Sequence, residues 1–138
     1  NIPAYQSASN ELNQVSKQWQ NEVEKLGKEA KSLYDSYQAS VKTLSDAQKT
    51  KKEEEIVAKE KSAAELRRKY FGPEGELFKK REALMQPIQD EIYEAVKAIS
   101  TQKGYAVVVD RASASSIIFA SPNIDISNEV LAKLGYSN

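Results

Sequence analysis

Residues 28–71 read KEAKSLYDSYQASVKTLSDAQKTKKEEEIVAKEKSAAELRRKYF, without a single glycine or proline. A stretch this rich in Ala, Lys, Glu, Gln and Ser, and free of breakers, predicts long helix. Its best interruption is Lys42-Thr43-Leu44-Ser45-Asp46-Ala47-Gln48. Ser45 and Gln48 have the spacing of a capping box, and Asp46 places a negative charge in a first helical turn, where the helix dipole favours it. Two helices follow, from about Ala4 to Leu44 and from about Asp46 to Gln102, spanning roughly 60 and 85 Å at 1.5 Å per residue.

Both helices carry a heptad. Leu12, Trp19, Leu26 and Leu33 recur every seven residues, and Val23, Ala30, Tyr37 and Leu44 form a second row four positions along. Two such rows make one apolar seam of coiled-coil type. In the second helix Ile56, Ala63, Tyr70, Leu77 and Leu84 repeat by seven, and Met85, Ile88, Ile92, Ala95 and Ile99 continue the seam shifted by one position. The seams are expected to face each other in an antiparallel hairpin with its tip at about 43–48. Gly72-Pro73-Glu74-Gly75 should kink the second helix, with Pro73 as the first residue of a restarted helix. Pro87 is a second kink candidate.

The last third changes character. Gly104 reads as the glycine that ends the helix. Tyr105 to Asp110 and Ser115 to Ala120 read as strands joined by Arg111-Ala112-Ser113-Ala114. The first is almost wholly apolar, so both its faces need cover that an isolated two-stranded hairpin does not supply. Ser127 should cap a short final helix from Asn128 to Leu134. The fold class is therefore mainly α with a small β element (α+β): a long antiparallel helical hairpin projecting as a coiled-coil arm from a small oligomeric β head. The arm covers about 12–86, and the head about 1–11 and 87–138 of a single domain.

Composition excludes several chemistries. The 138 residues contain no Cys and no His, which removes disulfides, thiolate catalysis, the commonest general base and the usual zinc ligands. No catalytic residue, cofactor or metal ligand is expected; Asp90, Glu91 and Glu94 sit at helical spacing on an open face that offers no cleft to raise a pKa. No signal peptide opens the sequence, and no run of about 18 apolar residues suggests a membrane span. Twenty basic and 20 acidic side chains cancel, which argues against a nucleic-acid partner. The cancellation hides a gradient: residues 42–81 carry 12 basic and 8 acidic side chains, whereas residues 82–138 carry 4 and 7.

The layout resembles the Skp/OmpH family of periplasmic chaperones. The residues that carry the likeness are Pro87-Ile88 through Ala95-Val96, then Lys103-Gly104-Tyr105-Ala106-Val107-Val108-Val109-Asp110, and finally Asp125-Ile126-Ser127 before Val130-Leu131-Ala132-Lys133-Leu134. Ile2-Pro3-Ala4-Tyr5 fits the start of the family's long helix. The resemblance implies a homotrimer whose strands form a barrel-like head. Three helical hairpins would surround a cavity that holds unfolded outer-membrane proteins without ATP, in the periplasm. The family's first strand is missing from this sequence, which starts at Asn1-Ile2-Pro3. The best-known relatives are also strongly basic, whereas here only the far part of the arm is.

On this reading Tyr105, Val107, Val109, Ile117 and Phe119 build the trimer head. Client or anionic lipid headgroup contacts on the arm are assigned to Tyr34, Tyr37 and Tyr70, and to the basic residues Lys51, Lys52, Arg67, Arg68, Lys69, Lys79, Lys80 and Arg81. Tyrosine binds apolar partners at little entropic cost while tolerating water. The alternative is a structural coiled-coil spacer or oligomerisation module, which would carry the same arm without binding clients.

Overall fold

A computed structural model describes residues 2–136. These are mostly helical, at 78%. Helix α1 spans Pro3–Ser40 and passes into a 3-10 turn at Val41–Thr43; α2 spans Asp46–Phe71 and α3 spans Glu76–Lys103. A further 3-10 turn at Pro122–Ile124 precedes the short α4, Ser127–Lys133. The chain divides into two units: Ser9–Glu82, and the residues up to Ala8 together with those from Ala83 onward.

In the Ser9–Glu82 unit, α1 and α2 run antiparallel. The pairs that α1 makes step towards the turn at Ser45 from Glu11 with Lys80 of α3, through Trp19 with Tyr70 and Glu29 with Lys59 of α2, to Tyr37 with Glu53 of α2. The heptad rows account for the packing. Leu12, Val23, Ala30, Tyr37 and Ile56 are buried, and Trp19, Leu26, Leu33, Ala63, Tyr70 and Leu77 are half-buried. Each row lies on one side of its helix because seven residues nearly complete two turns.

Local chemistry sets the helix ends. The Ser45 side chain accepts the Gln48 N–H at 3.3 Å, and the Gln48 side chain accepts the Ser45 N–H at 2.9 Å, completing the expected capping box. Helix α1 stops at Ser40 rather than running on to Leu44. The Ser36 and Ser40 hydroxyls donate to the carbonyls of Ser32 and Ser36, at 2.8 and 2.9 Å, a competition with the backbone ladder that loosens its final turns.

The Gly72–Gly75 segment is a full break, not a kink. The Gly72 N–H donates to the Arg68 carbonyl at 2.8 Å to close α2, and the Gly75 N–H donates to Gly72 at 2.9 Å across a four-residue turn. Pro73 occupies the second position of that turn, where its fixed φ fits and no N–H is needed, and α3 restarts at Glu76 instead of Pro73. A Cβ on Gly75 would lie 2.8 Å from the carbonyl oxygens of Lys69 and Tyr70, so the turn requires glycine there. Pro87 does not end α3, which continues through it.

In the other unit, Ala8, Ala95 and Ile99 are buried and Leu84, Met85, Ile88 and Ile92 are half-buried. Gly104 ends α3 at φ +72°, and the Tyr105 N–H donates to the Ser100 carbonyl at 2.9 Å, the closing bond of a Schellman turn. Among the described residues no strand forms, either at Tyr105 to Asp110 or at Ser115 to Ala120. Two short strands alone do not repay the entropy of ordering. Asp110 instead organises a tight turn: its carbonyl accepts from Ser113 and Ala114, and its side chain accepts the Ala112 N–H at 3.0 Å. Ser127 is the first residue of α4 rather than its cap, and Ile126 holds the N-cap position without a side-chain bond; just ahead of it stands Asp125. Its carboxylate accepts the Ser127 N–H at 2.9 Å and the Ser127 hydroxyl at 2.5 Å. Lys103 pairs with Glu129 and ties the end of α3 to α4.

Candidate functional site

The Ser9–Glu82 unit distributes its tyrosines unequally. Tyr37 is buried, and its hydroxyl donates to Glu53. Tyr70 stacks flat on Trp19, with ring centroids 4.6 Å apart and planes inclined by 5°, and its hydroxyl donates to Glu22 at 2.6 Å. Both rings thus belong to the packing of the hairpin. Tyr34 stands 49% exposed and is the arm tyrosine that offers its ring to solvent.

Hydrogen bonding to a carboxylate, aided by partial burial, pushes the Tyr37 and Tyr70 phenols above their ordinary value of 10.0. A raised folded-state value means that the neutral phenol stabilises the fold below about pH 10. That contribution is lost as pH rises through the higher folded values. Ultraviolet titration is expected to show two of the seven tyrosines ionising late, and a Y37F/Y70F variant to lose that late phase. Glu29 behaves in the opposite sense. The Lys59 ammonium at 2.8 Å holds it below the ordinary 4.5, so its contribution is present above that value and fades as pH falls through the lowered one.

The cationic residues also separate. Lys80 reaches Glu11 at 2.6 Å and Lys79 reaches Glu76 at 3.5 Å, so both are partly neutralised. The Lys69 ammonium sits 5.9 Å from the centre of the Tyr70 ring. Lys51, Arg67, Arg68 and Arg81 are exposed and Lys52 is half-buried, and none of the five forms an ion pair among the described residues. Charged guanidinium groups held on a helix face, free of intramolecular partners, attract an anionic partner at moderate salt.

Three exposed apolar side chains were not singled out from the sequence: Val57 at 62%, Phe71 at 37% and Phe78 at 49%. Their signal was present, because they fall at multiples of seven, one position after the seam row. In the other unit the terminal segment is open. Val107 is 76% exposed, Ile118 97% and Phe119 79%, and Tyr105 and Val109 are also exposed, while Ile117 is half-buried. The most exposed of the large apolar residues is therefore Ile118, the neighbour of the expected Ile117. Asp125 lies below its ordinary carboxylate value because Ser127 hydrogen-bonds it, and the nearby Arg111 adds to the effect.

Among the described residues no group of three or more His, Cys, Asp or Glu side chains is placed to hold a metal, and no helix is long and apolar enough to cross a membrane. Paired long helices with open apolar and cationic surfaces define a helical-hairpin protein. The family model described as outer membrane protein (OmpH-like) matches residues 1–134, and the chain belongs to that family. No curated protein matches the chain.

Proposed function

We propose that this protein is an ATP-independent holdase of the periplasm, which keeps unfolded outer-membrane proteins from aggregating within a cavity between the arms of a homotrimer. The observation that carries this reading is the open apolar segment of the OmpH-like chain, with Val107, Ile118 and Phe119 each more than three-quarters exposed. Apolar residues bared in this number ask for cover. Sister copies supply it if the segments at Tyr105 to Asp110 and Ser115 to Ala120 pair between chains as the small β head. Pairing between copies also explains why these segments form no strand in one chain.

Holding a non-native chain calls for many weak contacts on a surface that resists self-aggregation, and several arms acting together multiply a modest affinity through effective concentration. Tyr34 and the exposed Val57, Phe71 and Phe78 supply apolar contact; Lys51, Lys52, Arg67, Arg68, Lys69 and Arg81 supply attraction to acidic client segments or anionic lipid headgroups. The decisive experiment dilutes a denatured outer-membrane β-barrel protein into buffer with and without this protein. Suppressed light scattering at a few-fold molar excess is expected; no protection at that excess would leave a coiled-coil spacer as the reading. Charge reversal of Arg67, Arg68 and Lys69 is expected to weaken client capture about ten-fold at low salt and much less at high salt, where the Debye length falls to roughly 3–8 Å. Equal loss at both salts would remove electrostatics from the mechanism.

A further inference from the structure

The outward side of α2 carries an apolar row that its own hairpin leaves uncovered. Val57, Ala64 and Phe71 follow one another at seven-residue steps, one position after the seam row Ile56, Ala63 and Tyr70, and all three are exposed; the exposed Phe78 lies beyond the Gly72–Gly75 break, in α3. A row that repeats by seven matches the surface of another helix, whereas an extended peptide repeats by two and cannot follow it.

Charges on both sides of this row choose the partner. Glu53, Glu60 and Arg67 flank it on one side, and Glu54, Lys61 and Arg68 on the other, all exposed. Each flank runs from acidic near Ser45 to basic near Gly72. A second copy laid parallel would set Glu53 against Glu54 and Arg67 against Arg68, like charges at both ends of the row. A copy laid antiparallel and centred between residues 60 and 61 sets each flank against the same flank of its partner, so that Glu53 faces Arg67 and Glu54 faces Arg68, each pair occurring twice, while Glu60 and Lys61 meet their own copies once each at the axis. In the same register Val57 meets Ala64, a larger side chain against a smaller one. Glu60 also borders a shallow groove lined by Gly27, Tyr34 and Ala63, with room for a partner's side chain. We propose that this face of α2 docks a second copy of the same chain, antiparallel about a two-fold axis through the middle of the row. The contact uses no residue of the open 105–119 segment, and arms docked in this way cover Val57, Phe71, Arg67 and Arg68, so that a second copy competes with a client for this face.

The absence of cysteine makes the register directly testable in the full chain, since any introduced thiol is the only one. Val57→Cys and Ala64→Cys proteins, mixed in equal amounts and oxidised, are expected to yield several-fold more 57–64 cross-linked dimer than either protein yields alone. A Ser62→Cys control, on the opposite side of α2, should cross-link far less. Dominant 57–57 or 64–64 products would mean parallel arms and overturn the proposal, as would a mixture no more reactive than the control. Adding Arg67→Glu to both cysteine proteins should lower the mixed yield about ten-fold at low salt, and adding Glu53→Lys as well should restore it. Failure of the double exchange to restore cross-linking would also overturn the assigned pairing.

Discussion

An I118D/F119D variant is expected to lose nearly all client protection while keeping its helices. In one chain these side chains are 97% and 79% exposed, so replacing them removes almost no packing within the subunit. Substitutions at such open positions change subunit stability by roughly 0.5 kcal/mol or less. Between subunits the same change places carboxylates in what the account assigns as an apolar head, where each unpaired buried charge costs several kcal/mol. The copies should separate, and a lone arm forfeits the avidity of three, a loss of about 10²–10⁴ in apparent affinity. Helical circular dichroism should match the unaltered protein while protection in the dilution assay disappears. Full protection by this variant would show that the open segment plays no part in gathering arms.

Trp19→Ala should produce the largest loss of stability in the Ser9–Glu82 unit. The indole is half-buried in the seam and stacks on Tyr70 at 4.6 Å, at the level where α2 is about to end. Truncation removes the aromatic pair and leaves a gap between α1 and α2, a cost of about 2–3 kcal/mol, or roughly 10 °C in the thermal midpoint for a chain of this length. Opposite this level the Gly72–Gly75 turn breaks the second helix, so few other contacts can take over the load. Tyr70→Phe keeps the stack and loses only the hydroxyl donated to Glu22, so its midpoint should fall by a clearly smaller amount. Equal midpoints for the two variants would mean that the ring stack contributes little.

The features legible in the sequence were those settled within a few residues. The capping box at Ser45 and Gln48, the glycine stop at Gly104 and the heptad rows each depend on local spacing, and each appears in the structure. Pro73 was harder, because a proline suits both the first position of a helix and the second position of a turn. The choice rests on Gly75, whose lack of a Cβ lets the Lys69 and Tyr70 carbonyls approach. Tyr37 and Tyr70 lie on the seam rows, yet their residue type also suits an outward contact. Only the cross-helix partners Glu53, Trp19 and Glu22 decide that both turn inward. The row through Val57, Phe71 and Phe78 shares its period with the seam, and one position of offset changes an inward face into an outward one. The segments at Tyr105 to Asp110 and Ser115 to Ala120 pose the opposite problem: their residues favour strands, but a strand exists only where a neighbour completes its ladder. No local pattern says whether that neighbour is the same chain or another.

That neighbour is the crux, and the mass of the unaltered protein in solution tests it most directly. Light scattering at low micromolar concentration, in salt high enough to screen the arm charges, should report roughly three times the 15.4 kDa of one chain. A mass of a single chain under these conditions would contradict the account, because Val107, Ile118 and Phe119 would then remain bare and no set of arms would exist to enclose a client.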